Sequence, residues 1–410
     1  MQYEDAIQYY AGRGKFSHAP GLETMRELCR LLGDPQDALR FVHIAGTNGK
    51  GSCAALTASI LRASGRRTGL YTSPDLTDIR ERIDVDGVDI TPTAFVRLTE
   101  RVAQAADRMQ APSFFELLTA LGFLYFAQEQ CGYVALECGL GGRYDATNVI
   151  KTPDCAVIMS IGMDHTAILG DTLAKIAAEK AGIIKPGGTV VSAPQEPEAL
   201  RVIEETCAER GASLHVVDIS DLHPVSASLD GQVFSYKNLK DLRIGLLGAH
   251  QMRNACAAVE AAWALGIGED AVRAGLAGAR WPCRFELLRR EPPFVIDGAH
   301  NPHGAAALTA ALAQVFPEQK FVFLMGVMAD KDYGSILRRM EPLAERFICC
   351  TPDSPRALPA QALAEQVRGV PAEAVDNLED AVAKCLNTGL PVCAFGSLYY
   401  VGYVRKMLLP

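Results

Sequence analysis

Apolar runs of strand type alternate along the chain with segments whose apolar residues recur at helical spacing. "RFVHIAG" (40–46) reads as a buried strand. It leads through a glycine-rich turn into a segment where Cys53, Leu56, Thr57, Ile60 and Leu61 fall on one helical face, with Gly65 as the stop. "GLYTSP", "YVALECGLGG" and "DCAVIMSIGMDH" are further strands with polar or glycine-rich exits. "SFFELLTALGFLYFAQEQ" is a strongly apolar helix. "DTLAKIAAEKAG" is a second helix, capped by Asp171 or Thr172 and stopped at Gly182. Residues 217–243 carry turn signals and read as a small β insertion before the helix in "GAHQMRNACAAVEAAWAL". The strand–helix alternation predicts an α/β protein with a mostly parallel sheet. A charge cluster with two prolines, "LLRREPPF" (287–294), predicts a break between a domain over 1–288 and a smaller α/β domain over 294–410. The second domain reads as strand "FVIDGAH", a helix from about Gly304 to Phe316, strands "KFVFLMG", "RFICCT" and "PVCAFGS", and a C-terminal helix.

Composition narrows the classes. The 410 residues, 49% hydrophobic and 21% charged, suit two or three packed domains. A net charge of −8 without a basic stripe argues against nucleic acid as a partner. Any anionic substrate must then be held by local groups such as helix N-termini and single basic side chains. Twelve scattered cysteines without a C-x-x-C pair read as reduced, buried thiols. The first residues are too polar for a signal peptide, and no run approaches a membrane span. Together these predict a cytoplasmic protein with no membrane partner, and nothing in the charge pattern implies an obligate partner, so a monomer is expected.

The unusual residues gather where strands end, the edge at which open α/β sheets bind ligands. "GTNGKGS" (Gly46, Thr47, Asn48, Gly49, Lys50, Gly51, Ser52) follows a strand and precedes a helix. That context suits a phosphate-binding loop, although the hydroxyl stands one residue later than in the common G-x-x-x-x-G-K-[ST] pattern. A tight turn that merely tolerates Lys50 is the alternative. Glu137 ends an apolar strand and is either a solvated strand end or a carboxylate facing Mg²⁺. His165, beside Asp164, is either structural or a metal ligand, and Ser73 in "YTSPD" is either a turn residue or a third ligand. Lys180 lies on a helix of short residues. It is either a solvated lysine or one that loses its proton and reacts with CO₂ to give an anionic carbamate. In "DGAHNPHG", Asp297, His300 and Asn301 crowd one turn, as a capped helix start or as part of an interdomain site.

With these stretches in hand, the chain resembles the folylpolyglutamate synthase/dihydrofolate synthase family of the Mur ligase superfamily. "GTNGKGS", "YTSPDL", "SFFELLTALGF", "ECGLGGRYDATNVI", "SIGMDHTAILGDTLAKIAAEKAGIIKPG", "GAHQMRNACAA", "WPCRFE", "DGAHNPHG", "MADKDY" and "FGSLYYVG" stand in family order over nearly the whole length. The resemblance implies a P-loop ATPase domain followed by a smaller Rossmann-like domain, with the active site between them. It implies ATP-dependent joining of L-glutamate to a folate or dihydropteroate carboxylate through an acyl phosphate. Carried over by motif, the 46–52 loop holds the ATP phosphates, and Ser73, Glu137 and His165 hold Mg²⁺, with two ions in all. Lys180 matches the superfamily's carbamylated lysine, and Asn254 and Arg284 match ATP-binding positions. Asp297 and His300 match a pair that closes over the nucleotide. Asp145 is similar to a residue near the pterin side of the substrate, and Ser397 falls in the glutamate-binding segment. Lys50, Lys180, Asp297 and His300 thereby take the catalytic assignments.

The chain departs from the family at Asp75, where histidine is common, and at Cys283, where glycine precedes the arginine. Cys138 and Tyr144 fill positions that are often apolar. Asp75 and Tyr144 leave the substrate range open. Two other activities stay on the table: a Mur-type ligase acting on another carboxylate, and a P-loop NTPase without ligase chemistry. A complete second domain rich in polar strand ends weighs against the latter.

Overall fold

The computed structural model describes every residue except 15–20, 111 and 410. The chain forms two units. One takes Met1–His223, Ser235–Leu242 and Arg253–Ala279; the other takes Pro224–Phe234, Arg243–Met252 and Arg280–Pro410.

The first unit holds an eight-stranded sheet. Its strands are β1 (Phe41–Ala45), β2 (Thr68–Tyr71), β3 (Ile83–Val85), β4 (Val88–Asp89), β5 (Tyr133–Glu137), β6 (Cys155–Ile158), β7 (Thr189–Ser192) and β8 (Ser213–Val216), in the order β4-β3-β2-β5-β1-β6-β7-β8. Strands β2, β5, β1, β6, β7 and β8 run parallel, and β3 and β4 add antiparallel at one edge. β1, β5 and β6 are buried at every position, which is why they read as unbroken apolar runs. The Phe114–Gln128 helix starts at a capping box, with the Ser113 hydroxyl accepting from the Glu116 N–H and the Glu116 carboxylate accepting from the Ser113 N–H. It packs with Phe41, Val134 and Leu136 in one apolar cluster. A second cluster joins Ala156, Ile158 and Val190 to Ile176 and Ala177 of the Leu173–Ala181 helix.

That helix is capped by Thr172, whose hydroxyl accepts from the Lys175 N–H. Gly182 ends it, but with an ordinary helical φ of −57°. The glycine is required there by a close approach: a Cβ on Gly182 would lie 2.4 Å from the Arg143 Cα.

The expected β insertion is a three-stranded sheet of β9 (Leu222–Ser228), β10 (Gly231–Tyr236) and β11 (Leu239–Ile244). The second unit's main sheet has β12 (Glu286–Arg290), β13 (Pro293–Ile296), β14 (Phe321–Met325), β15 (Ala344–Cys349), β16 (Ala372–Ala374) and β17 (Val392–Phe395), in the order β12-β13-β17-β14-β15-β16. All neighbours are parallel except β12 and β13. Phe321, Phe323, Phe347 and Phe395 form the centre of its core. The stretch 287–294 is therefore not a linker. Its prolines and charges make the turn and the exposed end of an antiparallel hairpin, and the second unit's C-terminal segment begins at Arg280. The domain limits read from sequence, 1–288 and 294–410, are corrected accordingly.

Candidate active site

β1 delivers the chain to Gly46, whose φ of +151° and fit against Met159 leave no room for a side chain. Gly49 is left-handed, at φ +86°, and starts the Lys50–Ala63 helix. A Cβ on Gly49 would lie 2.5 Å from Oδ1 of Asn254, so the structure brings Asn254, on the Ala249–Ala264 helix, directly against the loop. The N–H groups of Thr47 and Asn48 both donate to the Ser160 carbonyl, at 2.9 and 3.2 Å. They hold the loop to the segment after β6 and are not aimed at a phosphate. The N–H groups of Lys50, Gly51 and Ser52 occupy the first turn, where helix geometry supplies no acceptor from within the helix. These three N–H groups and the helix dipole are the loop's candidates for holding a phosphate. The Lys50 ammonium bends back to the Thr47 carbonyl at 3.3 Å. Ser52 is buried within the same turn.

Lys180 is 3% exposed, and its ammonium donates to the Gly46 carbonyl at 2.9 Å. The structure thus joins Lys180 to the nucleotide loop, 134 residues earlier in the chain. Burial and the nearby Lys50 charge lower its pKa to about 7.

Glu137 is 3% exposed at the end of β5, and its carboxylate accepts the Ser73 N–H at 3.1 Å. Burial foremost, and the Glu137 charge after it, raise the pKa of Cys53 on the first turns of the Lys50–Ala63 helix. Ser73 and Glu137 are therefore neighbours, as expected, and offer the hard oxygen donors that suit Mg²⁺. His165 is exposed after β6, in a left-handed conformation at φ +51°, as the residue before the short Thr166–Leu169 helix.

Two of the sequence candidates carry structural hydrogen bonds. Asp145 is buried, and its carboxylate accepts the N–H groups of Leu140 and Thr147 and the Thr147 hydroxyl. These bonds order the 139–149 loop. Ser397 is also buried, and its hydroxyl accepts the Tyr399 N–H as cap of the Leu398–Leu408 helix. Its structural job is that cap, at the end of β17.

In the second unit, Asp297 ends β13 and accepts the N–H groups of Phe285 and Ala299 at 2.8 and 2.7 Å. Burial raises its pKa, and the Arg284 guanidinium opposes that rise. Arg284 lies over Gly298, where a Cβ would meet its Nη1 at 2.3 Å. His300 Nδ1 is 2.8 Å from the Gly298 carbonyl, and Asn301 caps the Pro302–Val315 helix through the Gly304 N–H. Arg284, Asp297 and His300 thus share one strand end. Cys283, the departure from glycine, adopts φ +56°, the left-handed conformation that glycine takes freely.

Asp75, the other departure, accepts from Arg82 Nε at 2.6 Å, and the Arg82 guanidinium lies over the Phe114 ring. Asp75 and Phe114 help line a cavity of about 290 Å³. Sequence reasoning missed His43 and Thr147, which are 2.8 Å apart and fully buried beneath the loop. The signal for His43 was a polar residue inside the apolar run "FVHIA".

A glycine loop opening a helix, with a buried lysine on its backbone, and a second α/β unit with polar strand ends fit a nucleotide-dependent enzyme. Residues 44–262 match the model of the Mur ligase middle domain, and residues 283–397 match that of the Mur ligase glutamate ligase domain. Over 99% of both chains, the sequence is 38% identical to the dihydrofolate synthase/folylpolyglutamate synthase of Bacillus subtilis. Among solved structures, the Mycobacterium tuberculosis folylpolyglutamate synthase complexed with ADP superposes with a TM-score of 0.93 at 33% identity, covering 100% of this chain and 98% of that one. A folylpolyglutamate synthase complexed with AMPPCP and folate gives 0.88 at 33% identity, covering 100% of both. The chain belongs to the folylpolyglutamate synthase/dihydrofolate synthase family of Mur ligases. Among the described residues, no helix is long and apolar enough to cross a membrane.

Proposed function

We propose that the chain is an ATP-dependent ligase that joins L-glutamate to the carboxylate of a folate-type acceptor, either tetrahydrofolate, dihydropteroate or both. The acceptor carboxylate attacks the γ-phosphorus of ATP, the bond to the β-phosphate oxygen breaks, and ADP leaves. The glutamate amine attacks the acyl phosphate carbon, loses a proton, and phosphate departs with the C–O bond electrons.

The first-turn N–H groups of Lys50, Gly51 and Ser52 and the Lys50 ammonium hold the phosphates and stabilise the charge that spreads over them in transfer. Asn254 borders the same loop. Ser73, Glu137 and His165 are the residues that would hold Mg²⁺, which when bound neutralises phosphate charge as a Lewis acid. Lys180, with a pKa near 7, is about half neutral at neutral pH, and the neutral amine is the form that adds CO₂. A carbamate there places a negative charge beside the loop, suited to a second ion. Arg284, Asp297 and His300 are the second unit's candidates for nucleotide and glutamate. The cavity beside Asp75 and Phe114 suits a flat heteroaromatic ring.

One observation carries the assignment: a lysine fully enclosed on the Gly46 carbonyl of the nucleotide loop. The test is incubation with ATP, L-glutamate and either tetrahydrofolate or dihydropteroate, with products weighed by mass spectrometry. Gain of one glutamyl residue on at least one acceptor is expected. ATP turnover with no glutamylated product would overturn the proposal.

A further inference from the structure

In β1, the strand that feeds the nucleotide loop, His43 has no exposed surface. Its Nε2 lies 2.8 Å from Thr147 Oγ1, and that hydroxyl contacts Asp145 Oδ1. The direction of this chain follows from its end. Burial raises the Asp145 pKa, but three backbone N–H groups and the Thr147 hydroxyl converge on the carboxylate and oppose that rise, an arrangement that serves the acceptor-only, ionised form. The single Thr147 hydrogen then goes to the carboxylate in preference to the thiol of Cys138, whose Sγ lies 3.5 Å away, and His43 donates from Nε2–H. Cys138 Sγ packs 3.1 Å from the same nitrogen.

This tautomer leaves the Nδ1 lone pair buried, and it has no hydrogen-bond partner. Such a group is destabilising, a cost that an apolar side chain in the strand would avoid. Burial, with the Lys185 charge, lowers the imidazole pKa to about 3, so the ring stays neutral.

The loop that His43 reaches is tied on its other flank to the end of the Leu173–Ala181 helix. The Arg143 N–H donates to the Glu179 carbonyl at 2.8 Å. Asn148 Nδ2 donates to the carbonyls of Arg143 and Gly182. A Cβ on Gly142 would lie 2.9 Å from the carbonyls of both Glu179 and Lys180.

We propose that His43 is a positioning residue: through Thr147 it fixes the 139–149 loop between β1 and the helix end that carries Lys180, and so aligns the cavity assigned to the acceptor with the nucleotide loop. Ala146 and Val149 of the 139–149 loop pack in one apolar cluster with Phe114, which lines that cavity beside Asp75. The proposal rests on the ligase assignment above. The amides assigned to phosphate sit on Lys50, Gly51 and Ser52, seven to nine residues beyond His43. Losing the relay therefore weakens acceptor use and spares nucleotide binding.

The test compares Thr147→Val, which keeps the shape and removes the hydroxyl, with Thr147→Ser, which restores it. For Thr147→Val, kcat/KM for the acceptor is expected to fall on the order of tenfold or more, the equivalent of one broken buried hydrogen bond, while the ADP dissociation constant changes less than about twofold. Thr147→Ser recovers most of the loss. Equal losses of ADP and acceptor, or a serine variant no better than valine, would overturn the proposal. If Thr147→Val does not fold, the unmodified protein still decides: ¹⁵N-labelled histidine should show His43 as the Nε2–H tautomer, unchanged between about pH 5 and 8. An Nδ1–H tautomer, or titration in that range, contradicts the relay. Failure of the unmodified protein to glutamylate any acceptor removes the ligase assignment instead, and leaves the tautomer measurement standing.

Discussion

Replacing Lys180 with methionine is expected to produce a more stable and inactive protein. The lysine is 3% exposed, and its pKa is lowered to about 7, by burial first and by the Lys50 charge second. An unfolded lysine titrates near 10.4, so the drop corresponds to roughly 5 kcal/mol of strain on the protonated folded state. The sign follows from proton counts. Between about pH 7 and 10 the unfolded chain holds a proton that the folded chain lacks, so folding strengthens as pH rises through that window. Below about pH 7 both states are protonated and the full penalty stands. Methionine removes the charge but leaves the Gly46 carbonyl without its donor, a loss of about 1 kcal/mol. The variant should therefore gain roughly 3–4 kcal/mol at pH 6, and that gain should shrink by roughly 2–3 kcal/mol by pH 9. Urea unfolding of both proteins, without nucleotide or metal and in CO₂-depleted buffer, measures the difference at each pH. A variant less stable than its parent at pH 6, or a gain that does not change with pH, would refute the electrostatic account of Lys180.

Other expectations follow from the same contacts. Gly142→Ala drives a methyl against the carbonyls of Glu179 and Lys180 and should cost about 1–3 kcal/mol in urea unfolding, with kcat falling as well. At Cys283, both glycine and alanine lose the thiol, but only alanine keeps a side chain at φ +56°; Cys283→Gly should exceed Cys283→Ala by about 1 kcal/mol, and equality would mean no strain there. Asp75→His releases the partly exposed pair with Arg82, so stability should move by no more than about 1 kcal/mol. The KM for the acceptor should shift while that for ATP holds.

Much of the architecture was legible because buried parallel strands leave unbroken apolar runs and their exits collect glycine and polar residues. That made β1, β5, β6 and the loop at Gly46 readable, and the order of elements in the second unit. The hairpin of β12 and β13 was not, because two prolines and adjacent charges serve a surface turn as well as a linker. β16 has three residues, two of them exposed, and carries no period to detect. In the site, the juxtaposition of Ser73 with Glu137 and of Lys180 with the loop agrees with the motif-based expectation. The bonds that Asp145 and Ser397 make to their own loops were not legible, since a carboxylate or hydroxyl at a strand end looks alike whether it caps backbone N–H groups or meets a ligand. The loop's own amides show the same limit. A glycine-rich pattern announces exposed N–H groups, yet those of Thr47 and Asn48 are taken by Ser160, more than a hundred residues away.

The central claim is that the acceptor carboxylate is activated by phosphorylation before glutamate attacks. An acceptor labelled with ¹⁸O in both carboxylate oxygens, turned over with ATP and L-glutamate, tests it directly. The account predicts one ¹⁸O atom in each phosphate released and one retained in the new amide. Unlabelled phosphate, formed while glutamylated product accumulates, would contradict it.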